Sequence, residues 1–359
     1  MIITQTPLRM SFAGGGSDLP SFYRHFGGAV VNTAIDKYIY VNVNQKFDEG
    51  IRVSYSRTEE VGSAEEVEHP VVRAALGHLG ISGGVEITSI ADIPSRGTGL
   101  GSSSSFTVGL LLALHAYQSK YVPPADLAEE SCHVEIELCG ERIGKQDQYA
   151  AAVGGLNFIR FEPDDRVIVE PILCSRETLA RLESSLITFY TGMTRQASSI
   201  LADQSRQTES SFATQGLLHR MVKLAYELRN ELNRGHVETV GEILDAGWRL
   251  KREVHAGISN PEIDDYYQAA KRAGAVGGKL LGAGGGGFLT FFAPPERHSD
   301  IEKSVRLRKI DLAFEQSGSR VILYQNQSRT IRGRFATSLL LPQHRVTHSD
   351  GFTQLETVV

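Results

Sequence analysis

A glycine-rich segment between a strand pattern and a helix pattern constrains the fold of this chain more than any other feature. It runs from Pro94 to Ser105 with the sequence PSRGTGLGSSSS, after a β-branched stretch at 85–90 and before an apolar stretch at 107–120. Glycine lets the backbone turn tightly and approach a ligand. A helix N-terminus adds free N–H groups and the positive end of the helix dipole. The segment predicts a phosphate-binding loop, with a ligand-free, serine-capped turn as the alternative.

Two common phosphate-binding motifs do not fit this segment. A Walker A loop requires Gly-Lys followed by Ser or Thr after four spacer residues, and the chain has no such run. A dinucleotide-binding fold would place its glycine motif after the first strand, near the N-terminus. The loop therefore indicates another class of nucleotide-binding protein.

Two further glycine clusters flank apolar strands. The later one, Lys279 to Phe288, reads KLLGAGGGGF, and so many glycines predict close approach of the backbone to a ligand or to another loop. Loop flexibility alone is the alternative. The earlier one, Pro7 to Asp18, reads PLRMSFAGGGSD and places a charged Arg9 in an apolar strand, where an unpaired charge is costly. Arg9 and Asp18 are typical of a polar substrate pocket, or of a structural ion pair.

Carboxylates with a possible chemical role lie in the middle of the chain. Asp147 begins a short helix beside Lys145, whose ammonium group would keep the carboxylate ionised and able to accept a proton. Glu135 and Glu137 lie on one predicted helix, and two residues correspond to about 200° of rotation. Only one of these two glutamates can therefore face a shared site, where it could hold magnesium.

Composition excludes several other functions. The chain has 359 residues and a net charge of −5, which argues against a broad nucleic-acid or anionic-membrane surface. No apolar run approaches the roughly 18 residues of a membrane span, and the first residues lack a signal-peptide pattern. Three cysteines without CxxC spacing predict free thiols in a reducing cytoplasm, with neither a disulfide framework nor a zinc site. Glycine, at 36 residues, exceeds the usual share of about 7%.

The order of predicted elements favours an α+β protein of two closely packed domains, 1–184 and 185–359. The tail from Ser328 onward is weakly patterned and could be frayed. Strands are predicted over 2–12, 30–43, 51–56, 85–90, 157–161, 167–172, 186–191, 279–281, 288–292 and 321–325. Helices are predicted over 70–79, 107–120, 124–138, 146–153, 217–232, 237–254, 262–273 and 305–314.

Taken in order, the three glycine-centred motifs resemble those of the GHMP kinase superfamily, over residues 4 to 325. Pro7-Leu8-Arg9 resembles the first motif, PSRGTGLGSSSS the second, PxxxGLGSSA, and KLLGAGGGGF the third. The nine-residue spacing from Arg9 to Asp18 and the segment Gly144-Lys-Gln-Asp-Gln148 resemble galactokinase. The sugar pocket should differ from that of galactokinase, because Gly-Gly-Ser-Asp-Leu stands where galactokinase has Glu-His-Thr-Asp-Tyr.

The resemblance implies a ribosomal-protein-S5-like α+β N-terminal domain, a ferredoxin-like α+β C-terminal domain and an active site in the cleft between them. It implies ATP and Mg²⁺ as cofactors, Asp147 as the base and Arg9 as its partner, which would also offset charge on the phosphoryl group. Magnesium would be held by Ser103 and Glu135, or Glu137 in place of Glu135. The residues implied to bind ATP are Arg96, Gly97, Gly99, Leu100, Gly101, Ser102, Ser103 and Ser104. Those implied to bind the sugar are Gly15, Gly16, Ser17, Asp18, Gln148, Gly284 and Gly285.

Within the superfamily, the segments AGGGSDLPSFY, GKQDQYAAAVGGLNF and YTGMTRQASSIL resemble the heptose kinase branch. This branch phosphorylates the anomeric C1 hydroxyl of a heptose 7-phosphate, on the way to nucleotide-activated heptose for bacterial surface polysaccharide. A substrate phosphate needs a cationic partner. The candidates are Arg24, Arg96, Lys145 and Arg195. A kinase for fucose or an N-acetylhexosamine, or a non-catalytic sensor that binds ATP and sugar, are the alternatives.

Overall fold

The first strand provides the framework on which the rest of the fold is arranged. A computed structural model of the chain describes residues 1–93, 99–193 and 197–325, with residues 197–199 by their backbone alone. Strands are β1 Ile2–Ala13, β2 Gly28–Gln45, β3 Ile51–Ser54, β4 Thr58–Val61, β5 Val85–Ala91, β6 Leu156–Phe161, β7 Val167–Pro171, β8 Leu186–Tyr190, β9 Gly277–Leu280, β10 Phe288–Phe292, β11 Arg308–Ile310, β12 Phe314–Glu315 and β13 Arg320–Tyr324. Helices are α1 Pro20–Phe26, α2 Pro70–His78, α3 Ser102–Tyr117, α4 Pro124–Cys132, α5 Gln146–Val153, α6 Arg176–Ser184, α7 Ala197–Ser210, α8 Phe212–Asn233, α9 Val240–Val254, α10 Pro261–Arg272 and α11 His298–Val305.

The strands form two sheets. In the larger sheet the order is β13-β1-β2-β5-β3-β4; β6 and β12 also pair with β2, and β7 pairs with β6. The long strand β2 makes this possible, because it lies along β1 on one side and pairs with β6 and then β5 on the other. The smaller sheet has the order β11-β8-β10-β9 and is antiparallel throughout. The larger sheet contributes to one cluster of buried apolar side chains; the smaller sheet contributes to a second cluster and, through Phe288 and Phe292, also to the first.

Helix α3 packs on β1 and β2 and positions the glycine-rich loop before it. Its close approach to β1 depends on Gly109, where a Cβ atom would lie 2.6 Å from Oγ1 of Thr6. The hydroxyl of Thr4 donates to the carbonyl oxygen of Gly109 at 2.9 Å. The helix is buried on nearly all sides, as its apolar composition predicts.

Residues Met1–Gln325 form one compact unit. The smaller sheet begins at Leu186, just after the boundary predicted near residue 184, but β12 and β13 return to the larger sheet. The division into domains 1–184 and 185–359 stays a prediction, and the tail from Ser328 lies outside the described residues. Among the residues that the structure describes, no helix has the length and apolar character required to cross a membrane.

Three local predictions were wrong. Helix α3 begins at Ser102, five residues before its predicted start, because the serine hydroxyls find partners in the tertiary structure, such as the carbonyl oxygen of Pro7 for Ser105. The predicted helix 124–138 is an α-helix only to Cys132 and continues as a π-helix over residues 133–138. Residues 305–314 are not a helix: α11 ends at Val305, followed by Arg306 in the left-handed region (φ 57°), and β11 pairs with β8.

Candidate active site

Arg9 and Asp147 form the centre of the site. Arg9 lies on β1 and is 3% exposed, whereas Asp147 lies in the first turn of α5. Nε and Nη2 of the guanidinium donate to the two carboxylate oxygens, both at 2.7 Å, and Nη1 donates to the carbonyl oxygen of Gly99, also at 2.7 Å. The carboxylate of Asp147 stays 23% exposed, toward a cavity. The pair therefore fixes the orientation of a carboxylate that a substrate can reach.

The glycine-rich segment before α3 and the third glycine cluster, Lys279 to Phe288, cross at this centre. A Cβ atom on Gly282 would lie 2.7 Å from the carbonyl oxygen of Gly99, and one on Gly99 would lie 2.9 Å from the carbonyl carbon of Leu281. Both glycines have positive φ angles, near +78°. Gly101, also at positive φ, is the N-cap of α3, and a side chain there would press on Arg9 and Asp147. The expected approach of one loop to another is present at the site.

Glu135 faces the N-terminal turn of α3, and Glu137 is exposed to solvent. One oxygen of Glu135 accepts a hydrogen bond from Oγ of Ser103 at 3.0 Å, and the other accepts one from Nε2 of Gln148 at 2.6 Å. Burial raises the pKa of Glu135, and hydrogen bonds from Ser104 and Gln148 oppose the shift. The π-helical turn places this carboxylate beside the glycine-rich loop, as was expected of one of the two glutamates.

Asp18 is buried at the other side of Asp147. Its carboxylate accepts from the backbone N–H groups of Gly16 at 2.9 Å and Gln146 at 3.3 Å. Burial, and then the negative charge of Asp147, raise its pKa. Gly144 allows this position, because a side chain there would overlap the carboxylate. The backbone of α5 thus holds two carboxylates close together.

A cavity of about 1260 Å³ joins these groups. Asp18, Asp147 and two lysines line it, together with Gly99, Gly101 and the first serines of α3. Three ring side chains also line it, with centroids 4.8 Å apart for Tyr55 and His69 and 5.2 Å apart for His69 and Phe106. The cavity is large enough for a nucleotide and a second small molecule.

Two buried polar atoms of residues that line the cavity have no hydrogen-bond partner among the residues described. They are Oγ of Ser11, on the same face of β1 as Arg9, and Oε1 of Gln146. Gly15 lies between them: a Cβ atom there would be 3.7 Å from the Ser11 hydroxyl and 3.8 Å from the Gln146 amide. Buried polar atoms are rarely left unpaired, so these two are suited to hydroxyl groups of a ligand.

Several predicted site residues do not line the cavity. Leu100 is in the core, Ser17 bonds the backbone of Ala29, and Gln148 holds Glu135. Gly284 and Gly285 pack against the backbone of Ile258. The predicted site residues that do line the cavity are Arg9, Gly15, Gly16, Asp18, Gly99, Gly101, Ser102, Ser103, Ser104, Glu135 and Asp147. Arg96, Gly97 and Arg195 lie outside the described residues.

Lys145 is not the partner of Asp147, contrary to expectation. Its ammonium group pairs with Asp165 at 3.1 Å, as does Nε of Arg24 at the same distance. Neither Lys145 nor Arg24 lines the cavity. Two of the cations proposed to bind a substrate phosphate therefore pair with Asp165 and do not line the cavity.

The sequence analysis missed two buried lysines. Lys251 on α9 and Lys279 on β9 both line the cavity close to Arg9. A signal for Lys251 exists: it follows Leu244 and Trp248 at helical spacing, so it lies on the buried face of an amphipathic helix. A lysine at such a position is rarely buried without a functional or structural partner.

Comparison with known proteins gives consistent results. The family models for the GHMP kinases N terminal domain and the GHMP kinases C terminal match residues 67–155 and 228–307. The chain is 30% identical to a D-glycero-alpha-D-manno-heptose 7-phosphate kinase of Campylobacter jejuni, over 88% of this chain and 97% of that protein. A bifunctional fucokinase/GDP-fucose pyrophosphorylase of Arabidopsis thaliana is 28% identical, over 85% of this chain but 30% of that protein.

The crystal structure of a D-glycero-D-manno-heptose 1-phosphate kinase from Bacteroides thetaiotaomicron superposes with a TM-score of 0.74 at 25% identity, covering 91% of this chain and 100% of that one. The expected two-domain α+β fold of the superfamily is confirmed by these matches.

Proposed function

The chain belongs to the GHMP kinases, and from this premise we propose that it transfers the γ-phosphoryl group of ATP to the C1 hydroxyl of D-glycero-D-manno-heptose 7-phosphate. The class of reaction is that of the family: phosphoryl transfer from ATP to a small-molecule acceptor, here an alcohol oxygen of a sugar. The heptose and the position of attack are the specific parts of the proposal. The product would be the 1,7-bisphosphate.

One observation carries the catalytic part of the proposal: the Arg9–Asp147 pair opens into the cavity beside the N-terminus of α3. Asp147 accepts the proton of the attacking hydroxyl, whose oxygen forms a bond to the γ-phosphorus. The bond from that phosphorus to the β,γ-bridging oxygen breaks, and its electron pair leaves with ADP. Since phosphoryl transfer depends mainly on positioning and charge neutralisation, a carboxylate fixed by two hydrogen bonds is sufficient as the base.

Different parts of the cavity lining suit the two substrates. The N-terminus of α3, at the positive end of the helix dipole, and the adjacent glycine backbone suit the phosphates of ATP. The ring side chains of Tyr55, His69 and Phe106 suit the adenine base, which presents a flat aromatic face. Near Asp147, the carboxylate of Asp18 and the unpaired oxygens of Ser11 and Gln146 suit the hydroxyl groups of a sugar.

Magnesium fits the pair formed by Ser103 and Glu135. A hydroxyl and a buried carboxylate 3.0 Å apart are oxygen donors of the kind that Mg²⁺ uses, with substrate phosphates and water completing the coordination. A cation there would also offset the burial that raises the pKa of Glu135. Bound magnesium would neutralise charge on the phosphates of ATP.

The relatives support a heptose but differ in the substrate that their names state. One is named as a kinase of heptose 7-phosphate and another as a kinase of heptose 1-phosphate. We base our proposal on the Campylobacter jejuni protein, because its identity to this chain is higher over nearly its full length. A fucokinase is the second candidate, supported by the Arabidopsis relative, which is named in part as a fucokinase.

A coupled assay of ADP release with a panel of sugars tests this proposal. We expect release with D-glycero-D-manno-heptose 7-phosphate and magnesium, and none with fucose, galactose or N-acetylhexosamines. The Asp147→Asn variant is the control for contaminating kinases. Turnover with a free hexose alone would replace the heptose by the second candidate, and nucleotide binding without turnover on any sugar would favour a sensor.

A further inference from the structure

The guanidinium group of Arg9 is already committed to other partners. Three of its N–H groups donate to Asp147 and to Gly99, and its side chain is only 4% exposed. The transferred phosphoryl group spreads its negative charge over three equatorial oxygens. Arg9 has two of its five N–H groups left, so a second cation is required to meet all three oxygens.

Lys251 has the position and the free hydrogen-bonding capacity for this role. Its ammonium group donates to the carbonyl oxygen of Gly282, at the point where the third glycine cluster crosses Gly99. An ammonium group has three N–H donors. In the described part of the chain, no carboxylate lies within ion-pairing distance of Lys251, and its side chain lines the cavity. Two donors thus remain for a ligand.

The charges around Lys251 favour an anion. Lys279 lies nearby, donates to the carbonyl oxygen of Phe12 at 3.2 Å, and likewise has no carboxylate partner among the described residues. Burial, followed by the positive charge of Arg9, lowers the pKa of Lys251 to about 8, whereas Asp18 and Asp147 oppose the shift. Burial and the charge of Lys251 lower the pKa of Lys279 further. A buried ammonium group without a counter-ion is costly, and a bound phosphate would offset that cost.

We propose that Lys251 is a catalytic residue whose ammonium group binds the γ-phosphoryl group of ATP while it passes to the sugar oxygen. The inference rests on the proposed phosphoryl transfer at Asp147. Lys251 keeps its proton throughout: the hydroxyl proton goes to Asp147, and the electron pair of the broken bond leaves on ADP. The ammonium group supplies hydrogen bonds and positive charge to the oxygens of the transferred phosphoryl group, in addition to the two N–H groups that Arg9 has left.

Nucleotide binding by calorimetry tests this without knowledge of the sugar. The Lys251→Met variant keeps the length of the side chain and removes its charge; Lys223→Met, on the exposed face of α8, is the matched control. We expect Lys251→Met to weaken AMP-PNP–Mg²⁺ binding about tenfold and to change ADP–Mg²⁺ binding less than twofold. The control variant should change neither. Lys251→Gln, which keeps a donor for Gly282, serves the same test if the methionine variant does not fold.

Turnover gives the second measurement. With heptose 7-phosphate, Lys251→Met should lower kcat at least 100-fold and leave the KM for the sugar within threefold. Equal binding of AMP-PNP by variant and wild type would overturn the inference and leave the proposed function intact. A rise in the sugar KM alone would also overturn it, because Lys251 would then bind the phosphate that the sugar already carries. A wild-type protein that binds neither nucleotide would overturn the proposed function and this inference with it.

Discussion

The crossing of two glycine loops allows a quantitative test of how closely this site is packed. Replacing Gly282 by alanine introduces a Cβ atom about 2.7 Å from the carbonyl oxygen of Gly99 and nearer still to its Cα atom. Both contacts are with backbone, so no side-chain rotation can relieve them. The residue also has a φ of 78°, which alanine adopts at a cost of roughly 1–2 kcal/mol.

Gly80 is the matched control for backbone strain. Its φ is 65°, and a Cβ atom there would have no neighbour within 4 Å. Gly80→Ala therefore pays the conformational cost alone, reduced by about 0.4–1 kcal/mol because alanine restricts the unfolded chain. We expect it to lower the free energy of unfolding by about 0.5–1 kcal/mol. Gly282→Ala adds an overpacking cost of about 1–3 kcal/mol, for a total of about 1.5–4 kcal/mol.

Urea denaturation followed by tryptophan fluorescence measures the difference. Trp248 is the single tryptophan of the chain and is buried in the core beside the smaller sheet. Activity is the second readout, because a loop displaced by about 1 Å would move the carbonyl oxygen of Gly99 away from Arg9 and lower kcat roughly 100-fold. If Gly282→Ala is no less stable than Gly80→Ala and stays fully active, the two loops are not in close contact and the reasoning fails.

Three further predictions concern the chemistry. Asp147→Asn should lower kcat by about 10²–10⁴-fold in the ADP-release assay and leave ATP binding unchanged; near-wild-type turnover would remove Asp147 as the base. Ser103→Ala should raise the Mg²⁺ concentration for half-maximal activity several-fold with an unchanged KM for the sugar; the reverse pattern would argue against a metal contact. The kcat/KM of the wild type should fall about tenfold per pH unit above about pH 8, because Lys251 is charged below its pKa and neutral above it. The charged groups around Lys251 are Arg9, Asp18, Asp147 and Lys279. If the Lys251→Met variant showed the same fall in kcat/KM above about pH 8, the fall would have to come from the titration of another group.

Sequence patterns predicted the parts of the site that depend on local structure. Glycines with positive φ and a helix that starts directly after them are encoded within a few residues, and the apolar pattern around Arg9 marks a strand. The strand β2 and the cap of α10 by Asn260 also follow from local signals. The Arg9–Asp147 pair was reached through family resemblance, which supplies the long-range information that local spacing lacks.

The parts that were wrong or missed depend on contacts between distant segments. Lys145 was predicted to be the partner of Asp147 because the two residues are close in sequence. Its ammonium group pairs with Asp165 instead, and a contact between such distant segments is not encoded in local sequence. Residues 308–310 form a strand only because β8 offers an unpaired edge. Lys251 was overlooked because a charged residue in a helical pattern is usually predicted to be exposed. Its burial becomes evident only when the elements that pack against α9 are known.

The return of the last strands to the larger sheet has a consequence for synthesis of the protein. β1 carries Arg9 and precedes β13 by most of the described chain, yet Ile2–Gln5 find one of their two partner strands only in β13, with Val321 and Arg320 opposite Thr4 and Gln5. Until β13 has been made, this edge of β1 has free N–H and C=O groups, which can pair with other chains. A ribosome that stalls within the segment of the smaller sheet would release a chain that has every predicted phosphate-binding residue before Ser105 but an incomplete sheet. Chaperones that cover strand edges should therefore affect the yield of this protein more than its final stability.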